Sequence, residues 1–325
     1  MLGNLNFLHH YQPQPIIYKL GPISFYWYGL FVILGALAGI LAWRYYNTRF
    51  ASEINSLGVK SKEDFCLTPS LINYKKTELF ISKDCFLDII IGCAIWGLVG
   101  ARAYHVLCEL SYYWQNPLEI LLIWHGGLSI FGALIAGAIF IVFFARKKHF
   151  SLLALLDGYV LAILVGEAIG RWGNYFNQEI FGSPTNRWWG IYISPENRPD
   201  IFYSYFYFHP TFLYQFIYGL IIFSAILVFL NIKGINPVLS ALARKRKMKF
   251  FVSLTRLIII EKITPGVILS FYLIFYSTGR FLFEFLRIDH QPVIGFLRLS
   301  QWLCILMFGM GVFLFSQIYP SHEND

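Results

Sequence analysis

Seven long apolar stretches constrain this chain of 325 residues more than any other feature of its sequence. A helix that crosses a bilayer needs about 20 mostly apolar residues. Charged residues make up 14% of the chain, against roughly 25% in soluble domains. We therefore predict an all-α integral membrane protein, and we do not expect a soluble globular protein, a disordered chain or a nucleic-acid-binding module. The seven predicted spans cover about 24–43, 87–107, 126–145, 152–169, 211–231, 266–286 and 300–318.

The positions of Lys and Arg predict how these helices are oriented. Loops on the cytoplasmic side of a membrane carry an excess of basic residues. Eighteen of the 26 Lys and Arg residues lie in 44–86, 146–151 and 232–265, which fall on one side. Six lie on the other side, and Arg102 and Arg280 lie within spans. The bias predicts an N-terminus outside (periplasmic) and a cytoplasmic C-terminus, as seven spans require, and it accounts for the net charge of +8.

The chain is predicted to form a single polytopic membrane domain over residues 1–325, with cytoplasmic insertions at 44–86 and 232–265 and an outer loop at 170–210. The second insertion carries the run Arg244-Lys245-Arg246-Lys247, followed by an amphipathic stretch. Such a segment is typical of an interfacial helix that binds anionic headgroups, and partner binding is the alternative. The N-terminal residues lack the basic segment and the cleavage site of a signal peptide, so we expect none.

Four polar residues of the sixth predicted span share one helical face. Tyr276, Arg280, Glu284 and Arg287 are spaced by four, four and three residues, so their side chains would lie one above the other on a helix. An ionisable side chain inside a bilayer is costly unless it has a partner, a watery cavity or a function. The structural alternative is an Arg280–Glu284 pair that only neutralises its own charge, which stabilises poorly compared with apolar packing.

A second polar cluster follows the fourth predicted span. Arg171, Asn174, Asn177 and Glu179 lie within nine residues. An arginine can bind a phosphate through two parallel hydrogen bonds, and asparagine can add neutral ones. Glycines such as Gly182 would let a ligand approach the backbone. The alternative is a capped loop without a ligand.

A third cluster enters the third predicted span, where His125 is followed by Gly126 and Gly127. Paired glycines in a membrane helix more often indicate close helix packing than chemistry. Arg102 of the second span and Tyr28 of the first are further candidates for a shared polar cavity.

Together these clusters predict two membrane arginines, Arg171 and Arg280, in a cavity near the outer leaflet that is rimmed with aromatic residues. An anionic phospholipid headgroup is the natural ligand of such a site. Asp157 is another candidate for the cavity, whereas Glu167 matches no motif and is interpreted as structural. The five cysteines show no pairing or metal-binding spacing, and neither a metal cluster nor a Gly-rich phosphate loop is evident. We therefore expect no metal or other cofactor.

The ordered set of these motifs resembles the bacterial prolipoprotein diacylglyceryl transferase family. The block GRWGNYFNQEIFG at 170–182 is specific, and the whole set is more so. The resemblance covers most of the chain outside the two insertions, and it implies seven spans with the N-terminus outside. The other matching motifs are Trp27-Tyr28-Gly29-Leu30, Gly100-Ala101-Arg102, His125-Gly126-Gly127-Leu128-Ser129, His209-Pro210-Thr211 with Leu213-Tyr214, the Tyr276/Arg280/Glu284/Arg287 face, and Ser300-Gln301.

The resemblance implies a multi-pass enzyme of the bacterial inner membrane that carries out the first step of lipoprotein maturation. Its partners would be phosphatidylglycerol, prolipoprotein signal peptides with a lipobox cysteine, and membrane lipids, without nucleic acid. A diacylglyceryl group would move to the cysteine thiol, forming a thioether and releasing glycerol phosphate. The thiolate is the nucleophile in such a reaction, and positioned arginines would stabilise the charge on the leaving phosphate.

By the same resemblance, Arg171 would hold the phosphate of phosphatidylglycerol, and Arg280 would be the second essential cation. Glu284 would orient Arg280, and Tyr276 would donate a hydrogen bond. The expected catalytic residues are Arg171, Tyr276, Arg280 and Glu284, and the expected substrate-binding residues are Tyr28, Arg102, Arg171, Asn174, Asn177, Glu179, Gly182 and Arg287.

The chain departs from the usual family pattern at three positions. Phe131 stands where a histidine is usual, and that histidine is a candidate for the proton-accepting base. His105 and His125 are the imidazoles that remain as candidate bases, and the sequence leaves this choice open. Gln215 replaces an acid, and Ser300 replaces a glycine. The alternative functions are a family member that binds anionic phospholipid without turnover and a transporter, which would predict internal repeats that we do not find.

Overall fold

The fold consists mainly of long helices with three short hairpins. The computed structural model describes residues 11–21, 23–56, 83–123, 126–232, 265–289 and 291–318. The helices in these ranges are α1 (Trp27–Ser56), α2 (Lys83–Cys108), the short α3 (Leu110–Gln115), α4 (Ile130–Lys148), α5 (Leu152–Phe176), α6 (Thr211–Ile232), α7 (Val267–Phe283) and α8 (Leu299–Ile318). The antiparallel hairpins pair β1 (Ile16–Leu20) with β2 (Ile23–Tyr26), β3 (Ile191–Tyr192) with β4 (Tyr207–Phe208), and β5 (Val293–Ile294) with β6 (Leu297–Arg298).

Six of the described helices are long and apolar enough to cross a membrane. They confirm the prediction of an all-α integral membrane protein. Two helices continue well beyond their predicted ends: α1 runs to Ser56 instead of ending near residue 43, and α5 runs to Phe176 instead of ending near residue 169. The number and the orientation of the spans stay predictions. The six candidate spans are Trp27–Thr48, Cys85–Cys108, Ile130–Lys148, Leu152–Phe176, Thr211–Leu230 and Leu299–Ile318.

The sixth predicted span, 266–286, corresponds to the shorter helix α7. Its 17 residues extend about 25 Å at 1.5 Å per residue, less than the roughly 30 Å of a bilayer core. The helix ends at Phe283, and Glu284 is its C-terminal cap. Arg287 then forms a β-bridge with Gly182, so the helix cannot continue through it. The expectation that Arg287 continues the helical face of Arg280 and Glu284 is therefore wrong, whereas Glu284 lies one turn after Arg280 as expected.

The chain forms two compact units. The first unit comprises Met1–Tyr45 with Tyr159–Asp325, and the second comprises Tyr46–Gly158. Within the second unit, α2 packs along α4. A Cβ atom on Gly100 would lie 2.6 Å from the carbonyl oxygen of Gly132. Small residues at this crossing let the two backbones touch, as is common between membrane helices.

Close packing in the first unit brings α5, α6 and α7 together. A Cβ atom on Gly219 of α6 would lie 3.1 Å from the Cβ atom of Ala168 in α5, and α7 packs against both α6 and α8. On the other side of α5, a Cβ atom on Gly35 of α1 would lie 2.8 Å from the carbonyl oxygen of Gly166. These small residues fix the position of the last turns of α5, which carry the second polar cluster.

The segment between α5 and α6 forms a packed layer of its own. The Arg198 guanidinium lies between the rings of Tyr192 and Phe206, at 5.4 and 4.9 Å from their centroids. It donates hydrogen bonds to the carbonyl oxygens of Ile193 at 2.8 Å and Tyr203 at 3.1 Å. The layer is thus held by an arginine as well as by apolar contacts. Its apolar cluster contains Tyr175, Phe181, Ile191, Ile193, Phe208 and Phe212.

The predicted insertions and the predicted outer loop differ in how much of each is described. Residues 57–82 of the first insertion and 233–264 of the second, including the basic run, lie outside the described residues. The interfacial helix in the second insertion stays a prediction. The segment between α5 and α6 begins at residue 177 instead of 170, because α5 extends to Phe176, and its position on the outer side stays a prediction.

Candidate functional site

Arg171, near the C-terminal end of α5, pairs with Glu167, which the sequence analysis interpreted as structural. Its Nη2 atom donates a hydrogen bond to Oε1 of Glu167, one turn earlier in the same helix. The Tyr276 hydroxyl of α7 donates to the same oxygen at 2.8 Å. The sequence interpretation of Glu167 as merely structural missed this contact. The signal that could have found it is the spacing of four residues from Arg171, which places both side chains on one helical face.

Glu179 collects the two asparagines of the second polar cluster. The Nδ2 atoms of Asn174 and Asn177 donate to its Oε1 atom at 2.7 and 3.5 Å. Tyr28 of α1 packs against Gly173, where a Cβ atom would lie 2.6 Å from the tyrosine ring. The structure therefore brings four predicted substrate-binding residues together at the end of α5. Their role in binding stays a prediction.

Gly182 contacts the protein's own backbone. Its amide donates to the carbonyl oxygen of His209 at 2.9 Å. A Cβ atom at this position would lie 2.8 Å from the Cβ atom of His209 and 3.1 Å from the carbonyl oxygen of Leu286. Gly182 thus allows close packing between the segment that joins α5 to α6 and the end of α7, and its role in ligand approach stays a prediction.

The Glu284 carboxylate is buried and gathers three arginines. Only 1% of its side chain is exposed, and Nη2 of Arg280 lies 3.3 Å from Oε2. Nη1 of Arg298 lies 3.1 Å from Oε1, and Nη1 of Arg287 lies 3.7 Å from Oε2. The spacing of four residues correctly predicted the Arg280–Glu284 pair. Arg298 was missed because it lies in β6, outside any helical repeat.

Arg287 forms a two-point ion pair with Asp289, and its predicted contact with substrate stays a prediction. Its Nε and Nη2 atoms donate to Oδ1 and Oδ2 of Asp289, both at 2.7 Å. Gln291 donates to Oδ2 at 2.9 Å. Burial raises the pKa of Asp289, but the hydrogen bonds from Arg287 and Gln291 outweigh it, and the net pKa lies below the ordinary value. The Asp289 carboxylate therefore stays charged and fixes the position of the Arg287 guanidinium.

A small cavity of about 30 Å³ lies among α5, α6 and α7, and both predicted cationic residues line it. Nη1 of Arg280 is buried and has no hydrogen-bond partner among the described residues. The same holds for both polar side-chain atoms of Gln215. Buried polar groups without partners are costly, so the cavity suits an anionic, hydrogen-bonding ligand. Its lining consists of Leu164, Glu167, Ala168, Arg171, Gln215, Tyr218, Gly219, Ile222, Tyr276, Arg280 and Phe283.

Arg102, in the second unit, donates hydrogen bonds to backbone carbonyl oxygens. It donates to Ile120 at 3.0 Å, to Gly126 at 2.7 Å, to Gly127 at 3.0 Å, and also to Glu119. Gly126 and Gly127 have φ angles of 92° and 71°, a conformation that few other residues adopt. The paired glycines thus direct carbonyl groups at Arg102. The described contacts of Arg102 are thus with the backbone of its own unit, and its contact with a headgroup stays a prediction.

Of the two candidate bases, the structure describes only His105. Its Nε2 atom would lie 2.6 Å from a Cβ atom on Gly127, and its ring packs edge-on against Tyr113 at 5.8 Å. His125 lies outside the described residues. Phe131, at the position where the family usually has histidine, is 65% exposed. The phenyl ring of Phe131 cannot accept a proton.

The motif around His209 forms a hydrogen-bonded network in the segment between α5 and α6. Trp189 donates to the Tyr214 hydroxyl at 2.7 Å, and that hydroxyl lies 3.0 Å from Nδ1 of His209. Burial, and then the nearby charge of Arg187, lower the pKa of His209. The tautomer of the neutral imidazole decides which of the two groups donates this hydrogen bond. The network connects the start of α6 to the segment that precedes it.

The remaining polar candidates have local partners. Asp157 is fully buried and accepts a hydrogen bond from the Tyr46 hydroxyl at 3.3 Å. Within the described ranges, no three His, Cys, Asp or Glu residues lie close enough to hold a metal ion. The described cysteines, Cys85, Cys93, Cys108 and Cys304, are free thiols.

Comparisons with known proteins agree on one family. The family described as prolipoprotein diacylglyceryl transferase matches residues 15–317. A phosphatidylglycerol–prolipoprotein diacylglyceryl transferase of Synechocystis sp. is 34% identical over 325 residues, which cover 100% of this chain and 96% of the relative. A relative of the same name from Nostoc sp. is 33% identical over 93% of this chain and 88% of its own length. Another, from Prochlorococcus marinus (strain NATL1A), is 33% identical over 98% of this chain and 94% of its own length.

Proposed function

The chain belongs to the prolipoprotein diacylglyceryl transferase family, and from this premise we propose that it transfers a diacylglyceryl group from phosphatidylglycerol to the lipobox cysteine of prolipoprotein signal peptides. The names of the relatives specify phosphatidylglycerol and prolipoproteins for those proteins. The reaction is the first step of bacterial lipoprotein maturation. The enzyme acts in the inner membrane, with the cavity toward the periplasmic side.

The observation that carries this proposal is the pair of arginines in one cavity. Arg171 and Arg280 both line it, and Nη1 of Arg280 is buried without a hydrogen-bond partner among the described residues. A phosphodiester supplies both the negative charge and the acceptor oxygens that this donor lacks. The apolar surfaces of the surrounding helices provide room for the acyl chains.

The transfer is a substitution at carbon. The lipobox thiol loses its proton to a base, and the thiolate attacks the glyceryl carbon that carries the phosphate oxygen. A C–S bond forms, the C–O bond breaks, and its electron pair leaves with the phosphate of glycerol phosphate. The proton passes from the base to the released phosphate or to solvent.

The arginines act on the leaving group. Arg171 exchanges the Glu167 carboxylate for the phosphate, and Arg280 binds it through the unpartnered Nη1 atom. Glu284, 3.3 Å from Nη2 of Arg280, orients that guanidinium, and Tyr276 donates a hydrogen bond. As the C–O bond breaks, the phosphate gains negative charge, and fixed cations stabilise this transition state more than the ground state. Asn174, Asn177, Glu179 and Tyr28 shape the headgroup site.

The proton acceptor differs from the histidine that the family usually has at Phe131, and His105 and His125 are the candidates. Replacing each by glutamine, singly and together, tests them. We expect the double replacement to slow transfer strongly. A double variant with the full rate would exclude imidazole as the acceptor.

The decisive experiment uses the full chain purified in detergent with phosphatidylglycerol and a lipobox peptide. Mass spectrometry should detect the diacylglyceryl peptide together with released glycerol phosphate. Phe131 favours a second candidate function, in which a family member binds the lipid without turning it over. Lipid binding without either product, while an active family member reacts in parallel, would favour that second function.

A further inference from the structure

The charges that line the cavity do not balance. Among the described lining residues, Arg171 and Arg280 are cations and Glu167 is the only carboxylate. Tyrosines at 218 and 276 are neutral at ordinary pH. The lining therefore carries one net positive charge. A phosphodiester carries one negative charge, so the bound lipid would neutralise the cavity.

Glu167 occupies the place of an anion in this cavity. Its Oε1 atom accepts hydrogen bonds from Arg171 and from Tyr276, the latter at 2.8 Å. These donors are two of the three that we propose meet the phosphate. An unpaired guanidinium at this depth would be costly, and Glu167 offsets that cost while no lipid is bound. Glu167 thus keeps Arg171 in position and reduces the positive charge of the cavity.

Gln215 faces the same cavity from α6 with an amide that has no partner. Neither its Nε2 nor its Oε1 atom has a hydrogen-bond partner among the described residues, and both atoms are buried. The close contact of Gly219 with Ala168, at 3.1 Å, fixes this part of α6 against α5. The amide can donate to a phosphate oxygen and accept from a headgroup hydroxyl. A carboxylate at the same position would face both Glu167 and the phosphate, and like charges in one partly buried site repel.

We propose that Glu167 and Gln215 together set the specificity of the cavity for a monoanionic phosphodiester. Glu167 supplies its single carboxylate, and Gln215 has to be neutral while it hydrogen-bonds the headgroup. This inference rests on the proposed function, because it takes the lipid phosphate as the ligand of Arg171 and Arg280. It predicts that the total charge of the two positions, 167 and 215, matters more than which of them carries it.

A charge-exchange cycle tests this inference on the full-length protein. The variants are Glu167→Gln, Gln215→Glu and the double exchange, with dihexanoyl phosphatidylglycerol as the probe and isothermal titration calorimetry as the measurement. A second carboxylate in Gln215→Glu should weaken binding about tenfold or more, since tenfold corresponds to one pKa unit of charge interaction. Glu167→Gln should bind more tightly than the wild type. The double exchange restores one net positive charge and should bind within about threefold of the wild type.

Three controls make the cycle interpretable. Gln115→Glu adds a carboxylate at an exposed position of the second unit, and its affinity should equal that of the wild type. Gln215→Met keeps the charge but removes the hydrogen bonds, so it should bind more weakly than the wild type and more tightly than Gln215→Glu. Dihexanoyl phosphatidylcholine, which has no net charge, should respond less to the exchanges than phosphatidylglycerol. Thermal unfolding of each variant identifies any that do not fold.

Two results would overturn the inference. One is wild-type affinity in Gln215→Glu, and the other is a double exchange that binds as weakly as Gln215→Glu. If Gln215→Glu does not fold, Gln215→Met with wild-type affinity would overturn it. The transfer assay run in parallel separates the inference from the proposed function. Charge-dependent binding without product would contradict the transferase and support the inference, whereas wild-type transfer with charge-independent binding would contradict the inference alone.

Discussion

Arg102 in the second unit and the pair Arg171–Arg280 in the first unit are all arginines of apolar helices, but their partners differ. Arg102 donates to four backbone carbonyl oxygens. Arg171 and Arg280 face the carboxylates of Glu167 and Glu284. Arg280 also has a buried nitrogen without a partner among the described residues. The N–H groups of Arg102 thus bind the protein's own backbone, whereas Arg280 keeps an N–H group that can bind a ligand.

The difference shows that an intramembrane arginine is not by itself a sign of a binding site. Carbonyl groups stay fixed in the fold, so a guanidinium that they surround stiffens the segment that supplies them. A carboxylate is an exchangeable anion, because a phosphate can take its place on the same donors. The hydrogen-bond partners of an arginine therefore predict whether its loss affects activity or stability.

The largest effect should follow from removing a cavity arginine. Arg171→Ala and Arg280→Ala should each slow transfer by about 1,000-fold or more, as is usual when a transition-state cation is lost. The measurement is the initial rate of diacylglyceryl peptide formation. Arg187→Ala, in the segment between α5 and α6, is the matched control and should keep a rate close to that of the wild type. A near-normal rate in either cavity variant would contradict the role assigned to that arginine.

We expect a smaller loss of transfer rate when the positive charge is kept but the planar guanidinium group is removed. Arg171→Lys should be about 10- to 100-fold slower than the wild type, because an ammonium group cannot form two parallel hydrogen bonds to one phosphate. The same initial-rate assay checks this prediction. Equal rates for Arg171→Lys and the wild type would mean that only the charge is needed.

In the second unit, the main effect should be on stability. Arg102→Ala removes the donor to four carbonyl groups, at a cost of about 2–4 kcal/mol in the free energy of unfolding. Thermal unfolding in detergent should show a clear decrease in the transition temperature. The affinity of the folded protein for phosphatidylglycerol should not change. Unchanged stability with lost lipid binding would place Arg102 in the headgroup site instead.

A weaker effect of the same kind should follow from Gly127→Ala. The backbone there has a φ angle of 71°, and a Cβ atom would lie 2.6 Å from Nη1 of Arg102. Strained backbone of this kind costs about 1–3 kcal/mol. Gly309→Ala is the control, because a Cβ atom at Gly309 would meet nothing within 4 Å. Equal transition temperatures for the two variants would contradict the role of Gly127 in the clamp.

The helices and one ion pair could be predicted from the sequence because both depend on local patterns. Apolar length determined the spans, and a spacing of four residues gave Arg280–Glu284. The contact of Tyr276 with Glu167 joins residues 109 positions apart, so no local pattern encodes it. Arg298 approaches Glu284 from a hairpin for the same reason. The hydrogen bonds from Arg102 to backbone carbonyl groups could not be predicted from the sequence either, since they depend on the φ angles of two glycines.

The most direct test of the account compares lipid binding by Arg280→Ala and Arg102→Ala under identical conditions. Both full-length variants are titrated with dihexanoyl phosphatidylglycerol at a temperature at which circular dichroism shows them folded. We expect Arg280→Ala to lose measurable affinity and Arg102→Ala to keep the wild-type dissociation constant with a lower transition temperature. Wild-type affinity in Arg280→Ala, or lost affinity in folded Arg102→Ala, would contradict the distinction between the two kinds of arginine.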